Sequence, residues 1–360
     1  MDMQHTHYDT IDSAKLNALV ARAVGDLSAG YGGVMISIGN RLGLYKAMAG
    51  AGPLSAEELA SRADCAERYV REWLNSQVAG GYIAYHAISD TYEMTAEQAM
   101  VLADEDSPVF FPNAWAVPAS MWADEEKAVE AFRSGKGIPW GDHDGRLACG
   151  VAAFYRNAYK ASLVSEWLPA LDGAAAKLKA GARVADIGCG HGHSTVLMAQ
   201  AFPASEFHGF DNHQGSLKEA RKGAAEAGVS GRANFAAARA DNYPAKGYDL
   251  ICFFDALHDM GDPVAAAKHA AKSLAPDGTV MLVEPFANDR VEDNISPVAR
   301  MYYAASTTIC CAHAISDGGR LVLGAQAGEA RLAEVFRKAG FTRFRRALET
   351  PFNLVLEARL

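Results

Sequence analysis

The chain has 360 residues, of which 50% are hydrophobic and 21% are charged, a composition typical of folded globular proteins. Its formal net charge of −9 argues against a general nucleic-acid-binding surface. No apolar run is long enough to span a bilayer, and the polar, acidic start of the chain lacks a secretory signal pattern. We therefore expect a cytoplasmic protein without membrane or nucleic acid as a partner.

Cysteine and histidine spacing gives no sign of a disulfide framework or a metal centre. None of the six cysteines forms a C-x-x-C pair, so we expect reduced thiols. Two closely spaced histidine pairs exist, His5/His7 and His191/His193. One pair lies at the chain terminus and the other in a glycine-rich loop, so we predict no metal site.

Residues 1–104 are predicted to form a small helical domain that ends in a hairpin. One helical pattern covers Ser13 to about Ala29, and a second one follows over Val34–Met48. Ser55 and Glu58 then have the spacing of a capping box. Further helices and two short β-rich runs complete the order of a winged helix-turn-helix.

The next helix is predicted to have Asp64 as its N-cap. Its apolar face is predicted to consist of five residues at helical spacing: Tyr69, Val70, Trp73, Leu74 and Val78. Winged helices often bind DNA, but residues 1–103 contain seven basic and twelve acidic residues, a net charge of −5. We interpret the domain as a dimerisation module and predict a homodimer through it.

Residues 105–179 are predicted to form a helical connector that is rich in aromatic side chains. Trp140, Tyr155 and Tyr159 are candidates for the wall of a substrate pocket. The alternative is that these rings only form a helical core between two domains.

From residue 180 to residue 360 the pattern alternates between short β-rich runs and helices. This alternation predicts an α/β fold with a doubly wound, Rossmann-like parallel sheet. The last two strands have no helix between them, which predicts an antiparallel hairpin at one edge. The predicted strands are Arg183–Ile187, Glu206–Phe210, Ala233–Ala237, Tyr248–Phe253, Thr279–Val283, Phe341–Arg346 and Phe352–Arg359.

The most informative motif is the stretch from Asp186 to Gly192, in which a strand leads through a glycine-rich loop to a helix. Glycines allow a ligand to approach the backbone, and a helix N-terminus favours polar or anionic groups. Asp211 ends the second strand, where an acid can accept hydrogen bonds from ribose hydroxyls. Asp241 follows the third strand in the same way.

These motifs resemble those of the class I S-adenosylmethionine (SAM) dependent methyltransferases. The resemblance implies SAM as cofactor and S-adenosylhomocysteine as product, with the glycine loop on the methionine part. It also implies that Asp211 binds the ribose and Asp241 lies at the adenine. The implied cofactor residues are Asp186, Gly188, Cys189, Gly190, Gly192, Asp211, Asn212, Ala240, Asp241, Asn242 and Phe254.

A narrower resemblance is to the dimeric small-molecule O-methyltransferases, which join a winged helix, a helical connector and a methyltransferase sheet. His258 and Asp259 match that family's His-Asp-Trp segment, with Met260 in place of the tryptophan. The resemblance implies that His258 is the general base and that Glu284 orients it. The alternative reading of His258 is a residue that only lies beside the cofactor.

Residues 286–324 form an insertion that is rich in aromatic and sulfur-containing side chains. Met301, Tyr302 and His313 are further candidates for the substrate pocket, although they are equally compatible with plain packing. Cys310 and Cys311 could receive a soft metalloid, which we regard as the weaker hypothesis.

The function predicted from these features is SAM-dependent methyl transfer to a small aromatic or conjugated acceptor. Oxygen is the first choice of acceptor atom, with nitrogen or sulfur as alternatives. Two competing hypotheses remain open. One is a SAM-sensing transcriptional regulator, and the other is a methyltransferase-like enzyme that uses SAM for different chemistry.

Overall fold

The computed structural model describes residues 11–360, so His5 and His7 lie outside the described residues. The chain divides into two compact units, the first ending at Trp115 and the second comprising Ala116–Leu360. The boundaries at residues 104 and 179 drawn from the sequence stay a prediction. Within the described part, none of the helices combines the length and apolarity needed to cross a membrane.

Over residues 11–115, the first unit consists of five α-helices, a short antiparallel hairpin and the 3₁₀ helix Pro112–Trp115. A capping box at Ser55 and Glu58 is confirmed, since each residue's side chain accepts a hydrogen bond from the other's backbone N–H. The elements are α1 (Ser13–Arg41), α2 (Leu44–Met48), α3 (Ala56–Arg62), α4 (Glu67–Ala79), β1 (Ala84–His86), β2 (Thr91–Glu93) and α5 (Ala96–Leu102).

Three local predictions in this unit are wrong. Helix α1 is continuous to Arg41 instead of breaking near residue 30. Asp64 is not the N-cap of α4, because the chain there has φ +50° and the helix begins two residues beyond Cys65 with Ala66 as its cap. Tyr69 is 82% exposed, because the buried face of α4 is centred on Trp73 and Leu74.

The second unit is built on a seven-stranded sheet of order β5-β4-β3-β6-β7-β9-β8. Strands β3 to β7 pair in parallel, while β9 runs antiparallel to both β7 and β8, which confirms the predicted edge hairpin. The strands are β3 (Arg183–Ile187), β4 (Glu206–Asp211), β5 (Ala233–Ala237), β6 (Tyr248–Phe254), β7 (Leu274–Pro285), β8 (Arg343–Glu349) and β9 (Asn353–Arg359).

Helices cover both faces of this sheet. Side chains alternate along each strand, so that Leu250 and Cys252 belong to one hydrophobic core while Ile251 and Phe253 belong to the other. Two π-helical stretches, Tyr159–Trp167 and Ser306–Cys310, continue α8 and α13. The helices are α6 (Ala116–Ala123), α7 (Glu125–Ser134), α8 (Arg146–Ala158), α9 (Ala174–Ala180), α10 (His193–Ala201), α11 (Gln214–Glu226), α12 (Pro263–Ser273), α13 (Pro297–Ala305), α14 (Cys311–Ser316) and α15 (Glu329–Lys338).

Two glycines of α1 give a test of packing in the first unit. A Cβ on Gly39 would lie 2.4 Å from the Trp73 ring, whereas one on Gly25 would meet no atom within 4 Å. We expect Gly39→Ala to lower the free energy of unfolding by about 1–3 kcal/mol through overpacking. Gly25→Ala should raise it by up to about 1 kcal/mol, because alanine favours the helix.

Urea unfolding of both variants beside the parent protein measures these shifts. Equal effects at the two positions would contradict the close contact between α1 and α4.

Candidate active site

The carboxylate of Asp186 joins the end of β3 to the beginning of α10. Its Oδ2 accepts hydrogen bonds from the hydroxyls of Ser194 at 2.7 Å and Thr195 at 2.6 Å. Its Oδ1 is buried without a hydrogen-bond partner. Burial raises the pKa of Asp186 to about 6, although the two hydroxyl donors oppose the shift.

The glycine loop above Asp186 is tied to the end of the neighbouring strand. The Gly190 N–H donates to Asp211 Oδ2 at 2.9 Å, and the His213 N–H donates to Asp211 Oδ1 at 2.8 Å. Gly190 has φ +53°, and the space that a Cβ would fill there is open. A carboxylate oxygen can accept more than one hydrogen bond, so Asp211 can still receive hydroxyl donors from a ligand.

A pocket lies at the carboxyl ends of the parallel strands, and most of the predicted cofactor residues line it. Those in the lining are Gly188, Cys189, Gly190, Asp211, Asn212, Ala240, Asp241 and Phe254. Asp186, Gly192 and Asn242 are not in the lining, since Asp186 is fully buried beneath the loop and Gly192 packs on the Phe235 ring.

An aromatic wall faces the glycine loop across the same pocket. Tyr155 and Tyr159 stack with ring centroids 6.0 Å apart, and Tyr159 lies 5.5 Å from the ring of Phe254. Trp140 and His313 have centroids 6.0 Å apart, and the Trp140 backbone N–H donates to His313 Nδ1 at 3.2 Å. Four of the six predicted substrate residues therefore line the pocket.

The remaining two predicted substrate residues do not reach the pocket lining. Tyr302 is buried on α13, where its hydroxyl donates to the Phe352 carbonyl at 3.0 Å. Met301 is 37% exposed on the same helix. Tyr302 nevertheless forms a hydrogen bond with the pocket residue Tyr155, so a contribution of these two residues to substrate binding stays a prediction.

His258 is brought together with Glu284, as the resemblance implies, but both are buried. Nδ1 of His258 contacts Glu284 Oε2 at a short hydrogen-bond distance, and Glu284 Oε1 accepts the Leu257 N–H at 3.1 Å. Nε2 of His258 lies 3.1 Å from Asp259 Oδ1. Asp259 lines the pocket, whereas His258 does not.

The charges around His258 favour its protonated form. Burial by itself lowers the pKa of His258, but the carboxylates of Asp259 and Glu284 outweigh burial and raise the pKa well above its usual range. An imidazole with a carboxylate at each nitrogen has no free lone pair for a proton. The general-base role of His258 stays a prediction.

Asp255 is a pocket residue that the sequence reasoning missed. It follows β6 directly with φ +49°, and its carboxyl accepts hydrogen bonds from Tyr159 at 3.2 Å and Asn353 at 2.8 Å. Burial, with the charge of Glu284, raises the pKa of Asp255 well above its usual range and favours the neutral acid. The signal available was an acid at the carboxyl end of an apolar strand, the rule that identified Asp211.

The insertion also contributes an acid to the pocket. Asp317 lies in the lining and forms an ion pair with Arg239 at 2.7 Å, and Arg239 Nε lies 3.4 Å from Asp241. This pairing connects the insertion to the loop after β5. No sequence spacing indicated it.

The raised pKa of Asp186 predicts a pH dependence of stability. Between pH 3.8 and about 6 the native protein retains a proton that the unfolded chain has lost, so the free energy of unfolding falls as pH rises. Asp186→Asn should abolish this slope and raise the free energy of unfolding at pH 7 by up to about 3 kcal/mol. Urea unfolding at a series of pH values measures both effects.

Ser194→Ala is the matched comparison, because it removes one of the two hydroxyl donors to Asp186. In that variant the fall of the free energy of unfolding with rising pH should extend to higher pH. An unchanged slope in Asp186→Asn would show that Asp186 is not its source.

Family models match two parts of the chain. Residues 30–104 match the model described as an Rv2258c-like winged HTH domain, and residues 178–340 match a model described as a methyltransferase domain. Trans-aconitate 2-methyltransferase of Streptomyces avermitilis is 36% identical over 105 residues, which are 29% of this chain and 39% of that relative. The chain thus spans about two fifths of the length of this curated relative.

Solved structures show the same fold over nearly the whole chain. Mitomycin 7-O-methyltransferase MmcR is 19% identical with a TM-score of 0.69, and the match covers 97% of this chain and 100% of that one. Human N-acetylserotonin methyltransferase, solved in complex with SAM, is 16% identical with a TM-score of 0.65 and coverage of 100% and 99%. The chain therefore combines an Rv2258c-like winged helix-turn-helix domain with a methyltransferase domain.

Proposed function

We propose that this protein is a SAM-dependent methyltransferase that acts on a hydroxyl of a small aromatic or conjugated molecule. The observation that carries the proposal is the arrangement of Asp211 and the glycine loop. The carboxylate is held by the Gly190 and His213 amides and lines a pocket whose opposite wall is aromatic. The cofactor and the acceptor can therefore bind side by side in the same cavity.

The residues of the pocket fit the parts of SAM. The open backbone at Gly190 suits the methionine part, Asp211 suits the ribose hydroxyls, and Ala240 with Asp241 suits the adenine. The bound cofactor supplies an activated methyl group on a sulfonium. The protein then has to align the acceptor and keep water out.

The opposite wall supports the choice of acceptor. Trp140, Tyr155 and Tyr159 present flat apolar surfaces that suit a planar ring. A hydroxyl acceptor also needs to lose a proton, and the pair of His258 with Asp259, which lines the pocket, is the one proposed for that task. Amine or thiolate acceptors, which need no such activation, remain the alternatives.

Cofactor binding is the first test. We expect SAM and S-adenosylhomocysteine to bind the full-length protein in the micromolar range, measured by calorimetry. Asp211→Ala should weaken binding by about 1.5–3 kcal/mol, because it removes the charged acceptor of the ribose hydroxyls. Transfer of label from methyl-labelled SAM to a panel of phenols then tests the reaction.

Asp277→Ala is the control, since this exposed carboxylate lies near the amino end of β7, away from the pocket. It should leave SAM affinity unchanged. Tight NADH binding without SAM binding would overturn the cofactor proposal, and SAM binding without transfer to any hydroxyl, amine or thiol would overturn the proposed reaction.

We also propose that the protein is a homodimer held by α1. The part of α1 before Tyr31 is exposed throughout, yet it carries a regular apolar seam. Its members alternate at intervals of four and three residues, the spacing of a coiled coil: Val20, Val24, Leu27, Tyr31 and Val34. An isolated helix of this kind needs a partner, and a second copy offers the same seam.

The dimer predicts a specific effect of charge on the seam. Leu27→Lys should shift the protein to the monomer of 38.3 kDa, because it places a charge in the apolar contact. Ala29→Lys, two residues away and off the seam, should leave the dimer intact. Sedimentation at micromolar concentration measures both, and a monomeric parent protein would contradict the proposal.

A further inference from the structure

Asp255 lies where the cofactor side of the pocket meets the acceptor side. It follows β6 directly and lines the cavity. The next residue, Ala256, packs against the glycine loop, since a Cβ on Gly188 would lie 2.7 Å from its methyl group. The hydroxyl of Tyr159, in the aromatic wall, donates to the Asp255 carboxyl at 3.2 Å. A group at this junction can contact the part of an acceptor that surrounds the reacting atom.

The backbone of Asp255 adopts a conformation that residues other than glycine rarely take. Its φ is +49°, and among the non-glycine residues that the structure describes only Asp64 and Asp90 also have a positive φ. The Asp255 N–H donates to the Val283 carbonyl at 2.8 Å, so the chain stays attached to β7 while it turns. Strain of this kind persists where neighbouring contacts hold it, commonly at functional sites. Of these three aspartates, only Asp255 lines the pocket.

The two carboxyl oxygens of Asp255 each accept a hydrogen bond from the protein. Asn353 donates to Oδ1 at 2.8 Å, and Tyr159 donates to Oδ2 at 3.2 Å. Asn353 is itself buried, and its backbone N–H donates to the Thr350 hydroxyl at 2.9 Å. The carboxyl therefore has a fixed orientation, and its accepting capacity is directed to the protein.

The surroundings of Asp255 favour a carboxyl that keeps its proton. Burial and the charge of Glu284 raise the pKa of Asp255 well above its usual range, and they outweigh the positive charge of His258. A protonated carboxyl has one O–H donor. Because Asn353 and Tyr159 both donate to the carboxyl, its own O–H is the part that remains for a ligand.

We propose that Asp255 determines the acceptor, by donating a hydrogen bond to a carbonyl oxygen that stands beside the reacting hydroxyl on a planar ring. The substrate class is therefore an aromatic ortho-hydroxycarbonyl compound. A carbonyl oxygen accepts this bond and has no proton that would compete with Asn353 or Tyr159. The inference rests on the proposed function, since it names the substrate class of that reaction.

The same hydrogen bond would assist the proposed methyl transfer. A carbonyl withdraws electrons from the ring, and a hydrogen bond to its oxygen strengthens that withdrawal. The neighbouring hydroxyl then loses its proton more readily, which lowers the demand on the base. Asp255 keeps its own proton throughout, so its role is to bind and orient the acceptor.

Two naphthols of nearly equal size test this preference. 2-Acetyl-1-naphthol has the carbonyl beside its hydroxyl, whereas 2-ethyl-1-naphthol lacks it. Calorimetry with the full-length protein, with and without saturating S-adenosylhomocysteine, measures both affinities. We expect the parent protein to bind the acetyl compound about 10- to 100-fold more tightly, because the ethyl compound leaves the buried O–H without a partner.

Three variants assign the preference to the O–H of Asp255. Asp255→Gly suits the positive φ and removes the carboxyl, so the preference should disappear. Asp255→Asn should retain most of it, because an amide still donates to the ligand while its oxygen accepts from the protein. Asp64→Gly is the matched control, since this exposed aspartate has φ +50° and does not line the pocket, and it should leave the preference unchanged.

Infrared spectroscopy gives a second measurement, which requires neither turnover nor cofactor. At about pH 8 Asp186, with its pKa of about 6, is ionised, so the C=O stretch of a protonated carboxyl should come from Asp255. Asp255→Asn should remove this band and Asp186→Asn should retain it. Binding of 2-acetyl-1-naphthol should shift the band, because the O–H then donates to the ligand.

The outcomes separate this inference from the proposed function. Equal or absent binding of the two naphthols by the parent protein overturns it, as does a preference that persists in Asp255→Gly. Loss of the preference in Asp255→Asn as complete as in Asp255→Gly also overturns it, because the group would then act as a charged acceptor. A preference with the expected pattern but without methyl transfer supports the role of Asp255, and only the proposed reaction falls.

Discussion

Asp186 is a carboxylate that the fold has buried completely, and its only hydrogen-bond donors among the described residues are two hydroxyls in the first turn of α10. The free-energy cost of burying this charge is offset only while Ser194 and Thr195 stay in place. Because they belong to α10, the same contacts fix where the glycine loop must turn. The loop in turn directs the Gly190 amide to Asp211, so the ligand-facing geometry depends on this one buried group.

The parallel strands place further acidic residues at the same edge of the sheet, and each of these residues has different hydrogen-bond partners. Asp211 is held by backbone amides, Asp255 by tyrosine and asparagine side chains, and Glu284 by an imidazole and an amide. Burial raises the pKa of Asp255 and favours its neutral acid. One pocket edge thereby combines a carboxyl group held by backbone amides with an uncharged acid capable of donating a hydrogen bond.

Sequence reasoning predicted the sheet well, because its central strands are short apolar runs buried on both faces, and these runs are separated by helical segments. Arg183–Ile187 and Ala233–Ala237 match the observed strands to the residue. Tyr69 was misplaced because helical spacing alone does not say where an apolar face ends. The contact of Cys310 with His258 and the position of Met301 depend on how the insertion folds, which no periodicity in the sequence indicates.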